Sequence, residues 1–280
     1  MNQAETASGA VPVSSTKPNK AEQNHQLLLF VIIFLIALTA RIVKLILDPV
    51  IMRDSVLYLG LSEIWQRTGE YSQTIINDAI IPPLPLFAIK EVMACGFSSQ
   101  IAGRSLSLFL GSIIPVLGFI IAVKLFKDKV IALICAAVFI LHPNLVSYSI
   151  HPLRENYYLF FAGIAIIEII NAVKNRNITD WCLVGIFASF AMFCRYEALE
   201  FTIICPLILL FSCLKKRISA KKVIRSLAAF FVGYAVTFTI LLSMIDFDLS
   251  FVKKISHYGQ EMVPENVFDN IVYDNPQSDQ

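Results

Sequence analysis

Charged side chains are scarce in this 280-residue sequence, since Asp, Glu, Lys and Arg together make up 16% of it. Ordinary soluble domains carry about 25% charged residues, whereas 56% of this chain is hydrophobic. This composition excludes a typical soluble globular protein and makes the lipid bilayer the first solvent to consider. The formal net charge of +2 also gives no reason to expect a nucleic-acid partner.

Several chemical signatures are missing as well. Only Cys95 among the six cysteines lies outside the apolar segments and their edges, so no disulfide or zinc framework is indicated. There is no glycine-rich nucleotide-binding loop and no inverted internal repeat of the kind that many transporters carry. The first apolar segment is long enough to span a bilayer and has no cleavage site after it, so we interpret it as an uncleaved anchor.

Long apolar runs are abundant instead. A helix needs about 20 apolar residues to cross a bilayer, and the sequence has five such runs, at 27–47, 105–123, 130–150, 156–173 and 227–245. A further apolar region, 181–211, is interrupted by the polar residues 195–197, so we predict two short spans that meet at a polar turn. The sequence therefore predicts an all-α, polytopic membrane helix bundle with about seven transmembrane helices.

Basic residues cluster in alternate loops, as the positive-inside rule requires. Thirteen of the 23 basic residues fall on one side: two precede span one, and eleven lie in the loops that join spans two and three, four and five, and six and seven. We therefore predict a cytoplasmic N-terminus, with the first loop and the turns at 151–155 and 195–197 on the outer side. We expect the protein to lie in the plasma membrane of a bacterium, that is, the inner membrane.

The predicted organisation has three parts. Residues 1–26 are polar and lack a core-forming pattern, so we predict a disordered cytoplasmic tail. Residues 27–246 form the membrane domain, and 247–280 form an outer C-terminal tail. Three alternatives remain open for the whole chain: a minimal protein, a truncated fragment, or half of a split protein.

The first outer loop, residues 48–103, is predicted to hold two helices that lie along the membrane interface. Apolar residues recur at helical spacing from residue 55 to 67 and again, after a proline cluster, from residue 86 to 93. These helices would hold Asp54 at the edge of the hydrocarbon region. Two interpretations of Asp54 stay open: an N-cap for a helix that begins at Ser55, and an active-site carboxylate.

Other ionisable residues converge on the same outer ends. Such residues are costly against lipid, so they usually face a cavity or pair with one another. Arginine suits a phosphate because its planar guanidinium stays charged, and we predict that Arg104, Arg154 and Arg195 bind a lipid phosphate. Simpler interpretations are snorkelling of Arg104 and local ion pairs of Arg154 with Glu155 and of Arg195 with Glu197.

Short motifs follow one another along the chain. They are Arg53-Asp54 with Tyr58, Pro82-Pro83-Leu84-Pro85, Gly103-Arg104-Ser105, His142-Pro143-Asn144, Arg154-Glu155-Asn156-Tyr157 and Arg195-Tyr196-Glu197-Ala198-Leu199. In this order the sequence resembles the GT-C class of membrane glycosyltransferases, specifically the group of protein O-mannosyltransferases, aminoarabinose transferases and lipopolysaccharide-core transferases.

The resemblance implies transfer of a sugar from a polyprenyl-phosphate carrier to a hydroxyl of a lipid, glycan or protein acceptor on the outer side. Asp54 matches the acidic residue of the family's first loop and would be the general base of an inverting reaction. The resemblance also implies a set of substrate-binding residues: Arg53, Tyr58, Arg104, Arg154, Glu155, Arg195 and Glu197.

No cofactor is certain from the sequence. A divalent metal is an open alternative, with Asp54, Glu155 and His151 as candidate ligands, although His151 beside Pro152 is more typical of a turn. Many relatives have two adjacent acids where this chain has Asp54-Ser55.

The alternative to an enzyme is a non-catalytic or split subunit that binds the lipid carrier. A transporter is disfavoured because the ionisable groups lie at span ends and not at the midplane.

Overall fold

The structure is a computed structural model that describes residues 20–71, 81–215 and 218–245. All regular structure within these ranges is helical, which confirms the predicted all-α class. The helices are α1 (Lys20–Leu47), α2 (Arg53–Thr68), α3 (Pro83–Ala94), α4 (Ser99–Phe126), α5 (Lys129–Leu141), α6 (Pro143–Ile150), α7 (Arg154–Asn175), α8 (Ile178–Met192), α9 (Glu200–Leu214) and α10 (Ala220–Ser243). The predicted tail 247–280 and most of the tail 1–26 lie outside the described residues.

Five helical segments are long and apolar enough to cross a membrane within the described ranges. They are α1, from residue 24 onward, α4, α7, α10, and α9 together with the 3-10 turn Tyr196–Leu199 that precedes it. The pair α5 and α6 makes a sixth if it is counted as one span. The remaining apolar helix, α8, has 15 residues and is shorter than the roughly 20 that a perpendicular span needs.

The predicted span 130–150 is not one straight helix, which corrects the prediction. Its two halves, α5 and α6, meet at an angle of 56°. His142 is extended, with φ −62° and ψ 119°, and Pro143 starts the second half. Proline disfavours the helical conformation of the preceding residue and has no N–H to donate, so the bend follows from the His142-Pro143 pair.

The interrupted region 181–211 folds as predicted, into two helices that meet at a polar turn. α8 ends at Met192, and Arg195 is extended, with φ −153° and ψ 131°. The chain then re-enters a helix through the 3-10 turn Tyr196–Leu199.

Two helices occupy the loop between α1 and α4, in agreement with the prediction. α2 ends at Gly69, which takes a left-handed φ of 77° that glycine adopts without steric cost. Apolar side chains of α2 and α3, including Leu61, Trp65, Leu86 and Ile89, form one core with the end of α10. The two helices are thus packed onto the bundle.

Small residues bring the bundle helices close together. A Cβ on Gly185 of α8 would lie 2.1 Å from the Phe230 carbonyl oxygen of α10, so α8 and α10 touch through their backbones. A Cβ on Gly103 of α4 would lie 2.6 Å from Leu59 and 2.9 Å from Pro152. Gly103 therefore lets α2 and the segment that leads into α7 approach the same end of α4.

Candidate active site

Glu155 lies at the centre of an ion-pair network at the start of α7. Its Oε1 is 3.6 Å from Nε of Arg154 and 3.3 Å from Nη1 of Arg195, and Nη2 of Arg195 donates a hydrogen bond of 2.7 Å to Oε1 of Glu197. Between 24% and 29% of the side-chain surface of Glu155 and of the two arginines is exposed. The network is open to solvent and mostly covered by protein.

Both local ion pairs that the sequence left open are therefore present. The contact between Arg195 and Glu155 joins them across 40 residues of sequence. The packing of α7 against α8 brings the two residues together. In addition, the Leu84 N–H donates a backbone hydrogen bond of 3.1 Å to the Phe193 carbonyl. That bond fixes the start of α3 next to the turn that carries Arg195.

The Arg195 guanidinium is held on several sides. It lies 5.7 Å from the ring centroid of Tyr158, and the Tyr158 hydroxyl donates a hydrogen bond of 2.8 Å to Glu200. The hydrogen bond with Glu197 is the main cause that raises the pKa of Arg195 above its ordinary value. Its Nε is buried and has no hydrogen-bond partner, so the guanidinium keeps one donor free.

Tyr58 connects this network to α2. Its side chain is buried, with 6% exposure, and burial raises the pKa of the phenol. Charges of Arg154, Glu155, Asp54 and Arg195 also act on that phenol. Predicted site residues of α2, α7 and the turn after α8 therefore all act electrostatically on the phenol of Tyr58.

Asp54 lies in the first turn of α2 and is exposed, as is Arg53. α2 begins at Arg53, its N-cap is Met52, and no side chain caps it. The interpretation of Asp54 as the N-cap of a helix that begins at Ser55 is therefore wrong. The place of Asp54 in the first turn of α2 is one where an acidic residue interacts favourably with the helix dipole.

Arg104 belongs to a second group of charges. Its Nη2 donates a hydrogen bond of 2.5 Å to the carbonyl oxygen of Pro49, just after α1. Its charge acts on His151 together with those of Asp48 and Lys44, and burial lowers the pKa of His151. Arg104 thus holds the chain end after α1, a role that neither the lipid-phosphate prediction nor snorkelling included.

The predicted metal ligands do not come together. Within the described ranges, no group of three or more His, Cys, Asp or Glu side chains is placed to hold a metal ion. The Glu155 carboxylate is occupied by two arginines, and His151 faces the Asp48 and Arg104 charges. As they are arranged in the described part of the chain, these residues do not fit a metal centre.

Sequence reasoning missed two members of the network, Tyr158 and Glu200. Tyr158 directly follows the motif 154–157, and Glu200 directly follows the motif 195–199. Their position next to these two motifs is the sequence signal that could have identified them.

Comparison with known proteins assigns the fold and the class of reaction. A family model described as dolichyl-phosphate-mannose-protein mannosyltransferase matches residues 81–242, more than half of the chain. The chain belongs to this family. It is accordingly a GT-C-type, integral multi-pass membrane glycosyltransferase that uses a lipid-linked sugar donor. The ion-pair network of Glu155 lies within the matched residues, whereas Asp54 and Tyr58 precede them. No curated protein matches the sequence.

Proposed function

We propose that this member of the family transfers a sugar from a polyprenyl-phosphate carrier to a hydroxyl of a lipid, glycan or protein on the outer side of the membrane. The observation that supports this proposal is the group of charges around Tyr58, from Asp54, Arg154, Glu155 and Arg195. It offers a carboxylate base and two cations on one side of the bundle.

Asp54 acts as the general base. It is exposed and lies in the first turn of α2, where an acceptor from solvent can reach it. It takes the proton from the acceptor hydroxyl as the acceptor oxygen bonds to the anomeric carbon. The bond from that carbon to the phosphate oxygen breaks, and this single displacement inverts the configuration of the sugar.

Arg154 and Arg195 stabilise the negative charge that develops on the departing lipid phosphate. In the structure they share the Glu155 carboxylate, which occupies a place that phosphate oxygens can take, because both groups pair with arginine in the same planar manner. Glu197 and the Tyr158 ring hold Arg195 in place. Glu155 then orients the arginines, while Arg53 and Tyr58 border the sugar.

The test is a transfer assay with the purified chain in proteoliposomes that contain polyprenyl-phosphate sugars and candidate acceptors. Asp54→Asn is expected to lower the release of polyprenyl phosphate at least about 100-fold, which is the lower end of the contribution of a general base, while lipid binding stays intact. Glu91→Gln is the matched control, since it is an exposed carboxylate of the same loop that pairs with Lys90.

Equal activity of Asp54→Asn and wild type would exclude Asp54 as the base. A wild-type chain that binds the carrier but never releases it as polyprenyl phosphate would favour the alternative of a non-catalytic or split subunit.

A further inference from the structure

A second polar site lies at the opposite end of α7, where α7, α8, α9 and α10 meet. A cavity of about 160 Å³ opens there, roughly ten times the volume of about 15 Å³ that one water molecule needs. Its wall includes Trp181 and three basic residues: Lys174 in the last turn of α7, Arg176 just after α7, and Lys222 in the first turn of α10.

Lys174 and Arg176 are exposed and Lys222 is half-buried, so a ligand can reach the positive charge of this cavity from outside. Among the described residues, none of the three basic side chains forms an ion pair. The nearby Asp180 carboxylate accepts hydrogen bonds from the side-chain amides of Asn175, at 3.4 Å, and Asn177, at 3.1 Å. Arg176 has a left-handed φ of 54°, which is uncommon for a residue other than glycine. Uncompensated cations in a cavity favour an anionic ligand.

An apolar groove continues from this cavity along the span. A second cavity, of about 370 Å³, shares Val173 and Ser212 with the first and is lined by Ile204, Leu207 and Phe211 of α9. Ile204 is 64% exposed, and Leu207 and Phe211 are each 57% exposed. The nine residues from Ile204 to Ser212 extend about 12 Å along the helix, which suits the upper part of an acyl chain.

We propose that the two cavities together bind an anionic phospholipid. Its phosphate lies among Lys174, Arg176 and Lys222, and its acyl chain lies against α9. Basic pockets between membrane helices are suited to anionic lipid headgroups, and the adjoining groove distinguishes a lipid from a free phosphate. The site is on the face predicted to be cytoplasmic. Lys174 follows Glu155 by 19 positions along α7, about 29 Å of helix, so this lipid is not the sugar donor.

The experiment is native mass spectrometry of the full chain in detergent, titrated with dioleoyl phosphatidylglycerol, dioleoyl phosphatidylcholine, or the deacylated headgroup glycerophosphoglycerol. Phosphatidylglycerol is expected to bind at least about tenfold more tightly than phosphatidylcholine, since each basic residue near an anionic headgroup contributes about fivefold. The deacylated headgroup is expected to bind more weakly than the whole lipid. Equal affinities for the two phospholipids, or for the headgroup and the lipid, would overturn the proposal.

A pair of triple variants locates the site. Lys174→Gln, Arg176→Gln and Lys222→Gln together are expected to abolish the preference for phosphatidylglycerol. The matched control combines Lys127→Gln, Lys129→Gln and Lys221→Gln, which removes the same charge from positions that do not line the cavity and also includes a left-handed residue, Lys127, with φ 57°. Equal loss in both variants would show a diffuse surface effect and refute a built site. If the first triple variant does not fold, Lys222→Gln alone is expected to weaken binding severalfold, and unchanged binding would count against the proposal.

Discussion

Arg195 contacts two carboxylates with two different nitrogens, Nη1 to Glu155 and Nη2 to Glu197. Lysine has a single ammonium group and cannot reproduce this planar fork. We therefore expect Arg195→Lys to lower kcat/KM for the lipid-linked donor at least about tenfold, which is the lower end of the cost of breaking a charge-assisted hydrogen bond at a partly covered site. The measurement is the initial rate of polyprenyl phosphate release over a range of donor concentrations.

Arg67→Lys provides the control, because Arg67 is exposed and makes one longer contact, 3.7 Å, to Glu63. It is expected to leave kcat/KM unchanged. If kcat/KM of Arg195→Lys equals that of the wild type, only the positive charge at this position matters, and the planar geometry of the guanidinium has no role.

Some contacts of the candidate site could be predicted from the sequence and others could not. The pairs of Arg154 with Glu155 and of Arg195 with Glu197 are local, and residue order alone made them available as alternatives. The contact of Arg195 with Glu155 spans 40 residues and depends on how α7 packs against α8, which no local pattern encodes. Phosphate binding by Arg104 was predicted from the chemistry of arginine at a span end. Its hydrogen bond to the Pro49 carbonyl could not be predicted, because it leaves no trace in spacing or composition.

At the scale of elements, the closest approach is between α8 and α10. A Cβ at Gly185 would lie 2.1 Å from the Phe230 carbonyl oxygen and 2.8 Å from the Tyr234 nitrogen, and backbone atoms cannot move aside separately. Overpacking of this kind costs about 1–3 kcal/mol, so Gly185→Ala is expected to lower Tm by roughly 2–10 °C. Thermal unfolding of the purified protein in detergent measures the change.

Gly60→Ala is the matched variant, since nothing lies within 4 Å of a Cβ at Gly60 in α2. Alanine is favoured over glycine inside a helix by about 1 kcal/mol, so this variant is expected to melt at or slightly above the wild-type temperature. If Gly185→Ala has the same Tm as the wild type, α8 and α10 do not touch through their backbones.

Run length and helical periodicity predicted most helices, the polar turn at 195–197 and the two helices of the first loop. The bend between α5 and α6 was missed because composition is apolar on both sides of His142-Pro143, and only the backbone preference at a proline separates them. The start of α2 was placed two residues late because Asp54 is a favoured N-cap type, whereas the extended residue is Met52.

At the scale of the whole molecule, α7 connects the candidate active site at its start with the basic cavity at its end. It begins with Arg154 and Glu155 and ends near Lys174, and its 22 residues extend about 33 Å, close to the roughly 30 Å thickness of the hydrocarbon core. The candidate active site and the basic cavity therefore lie at opposite surfaces. The distribution of basic residues predicts that the active-site end faces outward.

Cysteine labelling tests this orientation. Cys95 is exposed, between α3 and α4, so a membrane-impermeant maleimide is expected to label it from the outer side of intact cells, and Cys95→Ala is expected to abolish that labelling. The double variant Cys95→Ala with Lys129→Cys moves the thiol to the exposed start of α5. It is expected to react only after the membrane is permeabilised.

The reverse pattern would have a specific consequence for function. It would put Asp54 and the arginines of the network on the cytoplasmic side, because they lie at the same end of the bundle as Cys95: Gly103, just after it on α4, packs against Leu59 of α2 and Pro152 before α7. An acceptor on the outer side would then be excluded, while the chemistry of Asp54 and the two arginines would stay as proposed. Orientation and mechanism are therefore separable, and labelling decides only which compartment supplies the acceptor.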